Sequence, residues 1–273
     1  MYKTQTKSTP DKVSSQDPSQ IEDDEVAKIT FSLQSTTIDS SVGPQLVSTR
    51  AGIVELVGEI ADLPTSPPSL FVDLEGVNLS RHGTISILQI YAAPLDRTYL
   101  VDVHILKEKA FSQPAGNGMT LKDVLELSSI PKVFFDVRHD SDALFAHFGV
   151  RLAGVQDLQL MEVATRQCRR RFLSGLAKCI EFESSMTPEQ KGGSYEGFNT
   201  RPLSSEILQY CAQDVGYLPG LWRRYDQRLT AIRDRRAEVE QEVERRISDS
   251  QHAAYNGNGR HMARAPPRWA YLS

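Results

Sequence analysis

Ser69-Leu70-Phe71-Val72-Asp73-Leu74-Glu75-Gly76 is a short apolar run that carries two carboxylates at alternate positions and stops at a glycine. In a β-strand successive side chains point to opposite faces, so Asp73 and Glu75 project from the same side. Phe71, Val72 and Leu74 are what a strand buried on both faces would offer. Two acids side by side at the mouth of such a strand repel each other, and a divalent cation is the usual way to hold both ionised. Taken alone, the pattern also fits a solvated strand end. The deciding question is whether the remaining chain supplies carboxylates able to converge on this pair.

Upstream, Pro64 to Pro68 closes a helix predicted from Ile53, Leu56, Val57 and Ile60, with Ser48 or Thr49 as its cap. Downstream, Thr84–Tyr91 and Thr98–Val103 read as strands separated by the tight reversal Pro94-Leu95-Asp96. Short loops make these three strands an antiparallel meander. The pattern then turns to alternation. A helix is expected near Thr120–Leu127, a strand at Lys132–Asp136 and a helix over Ala143–Phe148 closed by Gly149. A short strand at Leu152–Gln156 and a helix capped by Asp157 follow. Further helices are expected at Phe172–Ile180, from Leu203 with Ser204 as cap and Pro219 as a kink or restart, and at Leu229–Ile247. The expected class is α/β, a mixed sheet with helices on both faces.

The chain has 273 residues, enough for one good-sized domain with tails. Residues 1–40 are rich in Ser, Thr, Gln, Asp and Pro around an acidic knot at Glu22-Asp23-Asp24-Glu25, and read as a mostly disordered acidic tail. Residues 41–228 would form the folded domain, and 229–273 a charged helix followed by a basic Gly/Pro-containing C-terminal arm. No apolar run approaches bilayer length, and the start has no secretory signal, so no membrane association is expected. Cys168, Cys179 and Cys211 are odd in number and widely spaced, which fits reduced thiols inside a cell. A net charge of −4 means that any nucleic-acid contact must come from local electrostatics.

Two further acids have a suitable setting. Asp140 lies just beyond the strand Lys132–Asp136, in the first turn of the helix that carries Leu144 and Phe148, where an acid also simply suits a helix N-terminus. Tyr210 and Asp214 are four apart on a helix and share a face, a spacing that a surface hydrogen bond would equally use. Asp136, Asp142 and Asp157 compete nearby and read as helix-entry or solvated residues, Asp157 as a cap.

The order Asp-x-Glu on the first strand, Asp on the helix after the fourth, and Tyr-x-x-x-Asp on a late helix resembles the three motifs of the DEDDy 3′→5′ exonucleases. Phe71-Val72-Asp73-Leu74-Glu75-Gly76, Leu79-Ser80-Arg81-His82-Gly83 and Ile85-Ser86-Ile87-Leu88-Gln89-Ile90 are similar to the opening of the ribonuclease D-like branch. Leu173-Ser174-Gly175-Leu176-Ala177 and Arg201-Pro202-Leu203-Ser204 resemble its segments ahead of the third motif. The resemblance implies a ribonuclease H-like fold, a five-stranded mixed sheet with the second strand antiparallel. It also implies metal-dependent removal of nucleoside 5′-monophosphates from the 3′ ends of RNA or single-stranded DNA. By that resemblance Asp73 would bridge two Mg²⁺ or Mn²⁺ ions, and Glu75 and Asp214 would complete the first site. Asp140 would hold the second ion through water, and Tyr210 would orient the attacking water. Asp136 stands where many relatives carry His or Asn. Some Egalitarian- and EXD-type relatives have lost catalytic acids and serve as RNA-binding platforms, so a silent nucleic-acid-binding module is the alternative.

A trimmed strand needs a basic, stacking-capable approach. Arg166, Arg169, Arg170, Arg171 and Lys178 form the densest basic cluster, and Arg81, His82 and Arg201 sit close to the motifs. Arg81, His82, Arg169, Arg170, Arg171 and Arg201 are therefore the candidate substrate contacts. Arg260, Arg264 and Arg268 with Trp269 read as an RNA-contacting arm or, slightly preferred, a loose end.

Overall fold

The computed structural model describes residues 43–168, 171–183 and 195–270. The expected acidic tail and most of the polar loop within 181–200 lie outside the described residues. Among the described residues six strands form one sheet: β1 (Gln45–Val47), β2 (Leu70–Glu75), β3 (Ile87–Ala92), β4 (Arg97–Asp102), β5 (Lys132–Phe134) and β6 (Val155–Asp157). Their spatial order is β1-β4-β3-β2-β5-β6, with β3 antiparallel to both neighbours and every other pairing parallel. The second of the five expected strands is thus the antiparallel one. The strand count is corrected to six, because Gln45–Val47 adds an edge beside Tyr99–Val101. Three residues are too few for a period of two to show in the sequence.

Helix α1 (Arg50–Ile60) starts where Thr49 Oγ1 accepts the Gly52 amide at 3.1 Å, and it buries Ile53, Leu56, Val57 and Ile60. Short helices α2 (Val103–Leu106), α3 (Lys109–Ser112) and α4 (Leu121–Glu126) follow β4; α3 and α4 pack beside α1. Next come α5 (Arg138–Phe148), α6 (Leu158–Thr165), α7 (Leu176–Glu183), α8 (Ser205–Thr230), α9 (Arg235–Gln251) and α10 (Pro267–Ala270). Alternation along the strands sorts the two faces. Leu88, Ile90 and Val101 join the main core with Ile53 and Leu56, whereas Ile87 and Leu100 pack with Cys211 under α8. No helix among the described residues is long and apolar enough to cross a membrane.

Some helix boundaries differ from expectation. Helix α8 continues through Pro219 for 26 residues, with Ser204 at its N-cap. Leu229 is the last buried residue of α8 and not the start of the next helix, because Asp234 at φ 59° breaks the chain between α8 and α9. Leu229 belongs to the apolar stripe of α8, and Val239 and Val243 to that of α9. Residues Arg171 to Leu173 precede α7 as extended chain: Phe172 bridges Arg264, the Leu173 amide donates to Ala263 O (2.9 Å) and the Ala265 amide to Arg171 O (3.1 Å). The C-terminal stretch, read as a loose end, is therefore a strap bonded to the domain. Helix α9 packs on α5 and α6.

Lys132 is fully buried in β5 and donates to the Val124 and Leu127 carbonyls at 3.1 and 2.7 Å, closing the end of α4. Burial pushes its pKa from the ordinary 10.5 down to about 7. Between those values the unfolded chain binds more protons than the folded one, so this group makes stability rise with pH, by up to ~1.4 kcal/mol per unit. Below about pH 7 the full burial penalty is present. Relative to Lys132→Met, the wild-type melting temperature should therefore climb from pH 7 to pH 9.5. Parallel curves would assign the buried charge elsewhere.

Candidate active site

The acidic face is built by local chemistry first. Strand β2 ends at Glu75, whose carbonyl accepts the Ser86 amide at 2.8 Å, and Gly76 turns directly against Thr84. A Cβ at Gly76 would lie 2.0 Å from the Thr84 carbonyl oxygen, so only glycine permits this closure. Asp73 pairs in register with Gln89, and Glu75 with Ile87, on the face covered by α8. From α8, Tyr210 and Asp214 reach the same place. Asp73, Glu75 and Asp214 each offer a carboxylate oxygen, and these atoms lie within 4.8 Å of one another. Tyr210 OH donates to Glu75 Oε1 at 3.0 Å.

Asp140, in the first turn of α5, lines the same pocket of about 250 Å³ but stands outside that tight triad. It is buried, and burial first, then Asp136, Glu75 and Asp157, raise its pKa well above the ordinary carboxylate range. Burial, then Glu75 and Asp214, raise the Tyr210 pKa far above that of a free phenol, so its hydroxyl stays neutral. Three close carboxylates with a fourth beside them are an oxygen-donor set of the kind hard divalent cations take.

Of the competing acids, Asp142 and Asp157 are buried, and Asp136 is half-buried in the wall of the acidic pocket. Asp157 is fully buried; it caps α6 through the Gln159 and Leu160 amides and also accepts the Asp136 and Val137 amides at the entry to α5. Burial works to raise the Asp136 pKa, but Arg138 (Nε–Oδ1 2.5 Å, Nη2–Oδ2 2.6 Å) and Arg246 more than offset it. Asp142 is buried against Arg81.

That last pair changes the reading of the proposed substrate arginines. Arg81 donates Nε to Asp142 Oδ1 (2.6 Å) and its remaining nitrogens to the Ser250 and Ala253 carbonyls (2.7 and 3.1 Å). Arg201 grips buried Asp102 through two bonds of 2.6 and 2.7 Å, and also donates to the Phe198 and Thr200 carbonyls. Both hold the fold together; their guanidinium groups are committed to partners. His82 and Arg171 are exposed, and Arg169 and Arg170 lie outside the described residues. Arg171 lies over Phe172 (5.5 Å) and Lys178 over Phe182 (5.6 Å), both rings exposed. Leu176, which opens α7 between these two pairs, lines the acidic pocket.

Two residues go unremarked in the sequence. His139 lines the pocket, with its buried Nδ1 unpartnered beneath Gly257. Gln89 is fully buried opposite Asp73; its signal is a lone amide in an isoleucine-rich strand. A larger cleft of about 580 Å³ lies between α9 and the strap, but its Arg138, Arg245 and Arg246 are already paired with Asp136, Glu242, Asp249 and Asp157.

The family described as 3′-5′ exonuclease matches residues 44–229. Among curated proteins, the human piRNA biogenesis protein EXD1 is 38% identical over 164 residues, which span 55% of this chain and 30% of that protein. The chain thus covers less than a third of this relative's length. Among solved structures, Trypanosoma brucei RNase D in complex with RNA U12 superposes with a TM-score of 0.69 at 20% identity, covering 87% of this chain and 81% of that one. Brucella melitensis NrnC with bound Mg²⁺ gives a TM-score of 0.52 at 22% identity, covering 69% and 88%.

Proposed function

This chain belongs to the DEDDy-type 3′-5′ exonuclease family, on a ribonuclease H-like fold, and from that premise we propose that it is an active, metal-dependent 3′→5′ exonuclease. Its substrates are RNA or single-stranded DNA 3′ ends, its products nucleoside 5′-monophosphates, and its place of action the inside of the cell. The observation that carries the reading is the convergence of the Asp73, Glu75 and Asp214 oxygens within 4.8 Å. Without a cation, three ionised carboxylates so close together would repel strongly. Bound there, a pair of Mg²⁺ or Mn²⁺ ions would supply an activated water and stabilise charge on the departing 3′ oxygen.

The protein's own groups do the rest. Tyr210, kept neutral, donates its one O–H to Glu75, so its oxygen can accept from and orient a nucleophilic water beside that carboxylate; it is not poised to remove a proton. Asp140, which lines the same pocket outside the triad, would act through water. The exposed pairs Arg171–Phe172 and Lys178–Phe182 suit an approaching single strand, combining a cation for phosphate with a ring on which a base stacks.

The human relative is named for piRNA biogenesis and not for a nuclease activity. That favours a second reading, a catalytically silent nucleic-acid-binding protein on the same fold. Incubation with 5′-labelled single-stranded RNA and DNA plus Mn²⁺ decides between them. A ladder shortening from the 3′ end, absent when metal is chelated, supports the enzyme. Retention of intact strands supports the platform, and internal cuts would refute both.

A further inference from the structure

Gln89 lies in the middle of β3, fully buried, and neither its Oε1 nor its Nε2 has a protein partner. Buried side-chain amides ordinarily find partners, and leaving both ends unpaired is costly. Its position is specific. Antiparallel register sets Gln89 directly opposite Asp73, with Leu100 on its other side. Residues opposed in this way share a face and bring their Cβ atoms to about 5 Å. Above this row α8 supplies buried Cys211, whose neighbours in the small core (Ile87, Leu100, Leu203) are apolar. The amide therefore sits in an apolar layer whose nearest charged neighbour along the sheet is Asp73.

We propose that Gln89 is a positioning residue for Asp73: its amide donates to the Asp73 carboxylate when that carboxylate turns to hold a divalent cation. The inference rests on the metal-site reading given above and deepens it. Groups bonded to a ligating carboxylate fix its orientation, and their loss weakens metal binding by roughly 10- to 100-fold. Such a role also explains a residue that is a poor choice for a metal-free fold. The amide is retained for the loaded state, and its unpaired condition burdens the empty one.

That asymmetry is the test. Gln89→Met and Gln89→Leu remove the amide but keep an apolar side chain suited to the layer. Each variant is melted in chelator, then titrated with Mn²⁺ alone by thermal shift and calorimetry, beside wild type and Asp73→Asn. The expected result is a metal-free melting temperature equal to or above that of wild type, with Mn²⁺ affinity reduced about tenfold or more. A metal-free melting temperature several degrees lower in both variants would make Gln89 an ordinary structural residue and overturn the proposal. Mn²⁺ affinity within twofold of wild type would overturn it too, and if Asp73→Asn alone loses binding, the metal site itself stands. If wild type gives no Mn²⁺ response at all, both the site and the role of Gln89 fall together.

Discussion

Replacing Asp73 with asparagine should lower the rate of 3′→5′ trimming by at least about 10³-fold, roughly 4 kcal/mol of transition-state stabilisation, while raising the melting temperature of the metal-free protein. Both halves come from one distance. Asp73, Glu75 and Asp214 present oxygens within 4.8 Å of one another, where two ionised groups repel by about 3 kcal/mol at the effective dielectric typical of such sites. Asparagine keeps the shape of Asp73 and removes its charge, which relieves the repulsion in the empty protein. It also removes a charged ligand from the set that would hold the cations. Activity measured on a labelled oligonucleotide, and melting in chelator, read the two effects separately. A variant that loses activity because it is less stable would show a fold defect instead. One that is more stable and still trims would mean that the triad is not the reacting site.

The carboxylates were legible because their constraints are local: alternation on a strand for Asp73 and Glu75, i to i+4 spacing on a helix for Tyr210 and Asp214, and a helix-entry turn for Asp140. The structure brings the four carboxylates to one pocket, with Tyr210 bonded to Glu75, through a parallel crossover and a long helix. The arginines were not legible. Arg81 and Arg201 sit beside the motifs in sequence, as substrate-contacting residues would, but their partners Asp142 and Asp102 lie 61 and 99 positions away. Pairing at such distances depends on tertiary geometry that no local pattern encodes. Gln89 escaped for a related reason. A single amide in an isoleucine-rich strand stands out only when the opposing residue is known to be Asp73, and register is a property of two strands together.

The strap is the largest departure from the sequence reading, and it gives the second large effect. Trp269→Ala should destabilise the protein by about 3–5 kcal/mol, a fall of roughly ten degrees in melting temperature for a domain of this size. Trp269 is fully buried, and its indole N–H donates to Glu238 Oε2 at 3.0 Å, so the substitution removes a large apolar surface and one hydrogen bond, while Glu238 keeps its ion pair with Arg235. Composition hid this. Tyr255 to Arg268 is glycine-, proline- and arginine-rich, the mixture expected of a loose end, and the apolar residues that anchor it are few and widely spaced. Yet the strap bonds to residues Arg171 and Leu173 just before α7, whose first residue Leu176 lines the acidic pocket, and its Gly257 lies against His139 in the pocket wall. A loose end would shift the melting curve by less than a degree on losing Trp269. A shift of roughly ten degrees would make the strap part of the scaffold that holds one wall of the pocket in place.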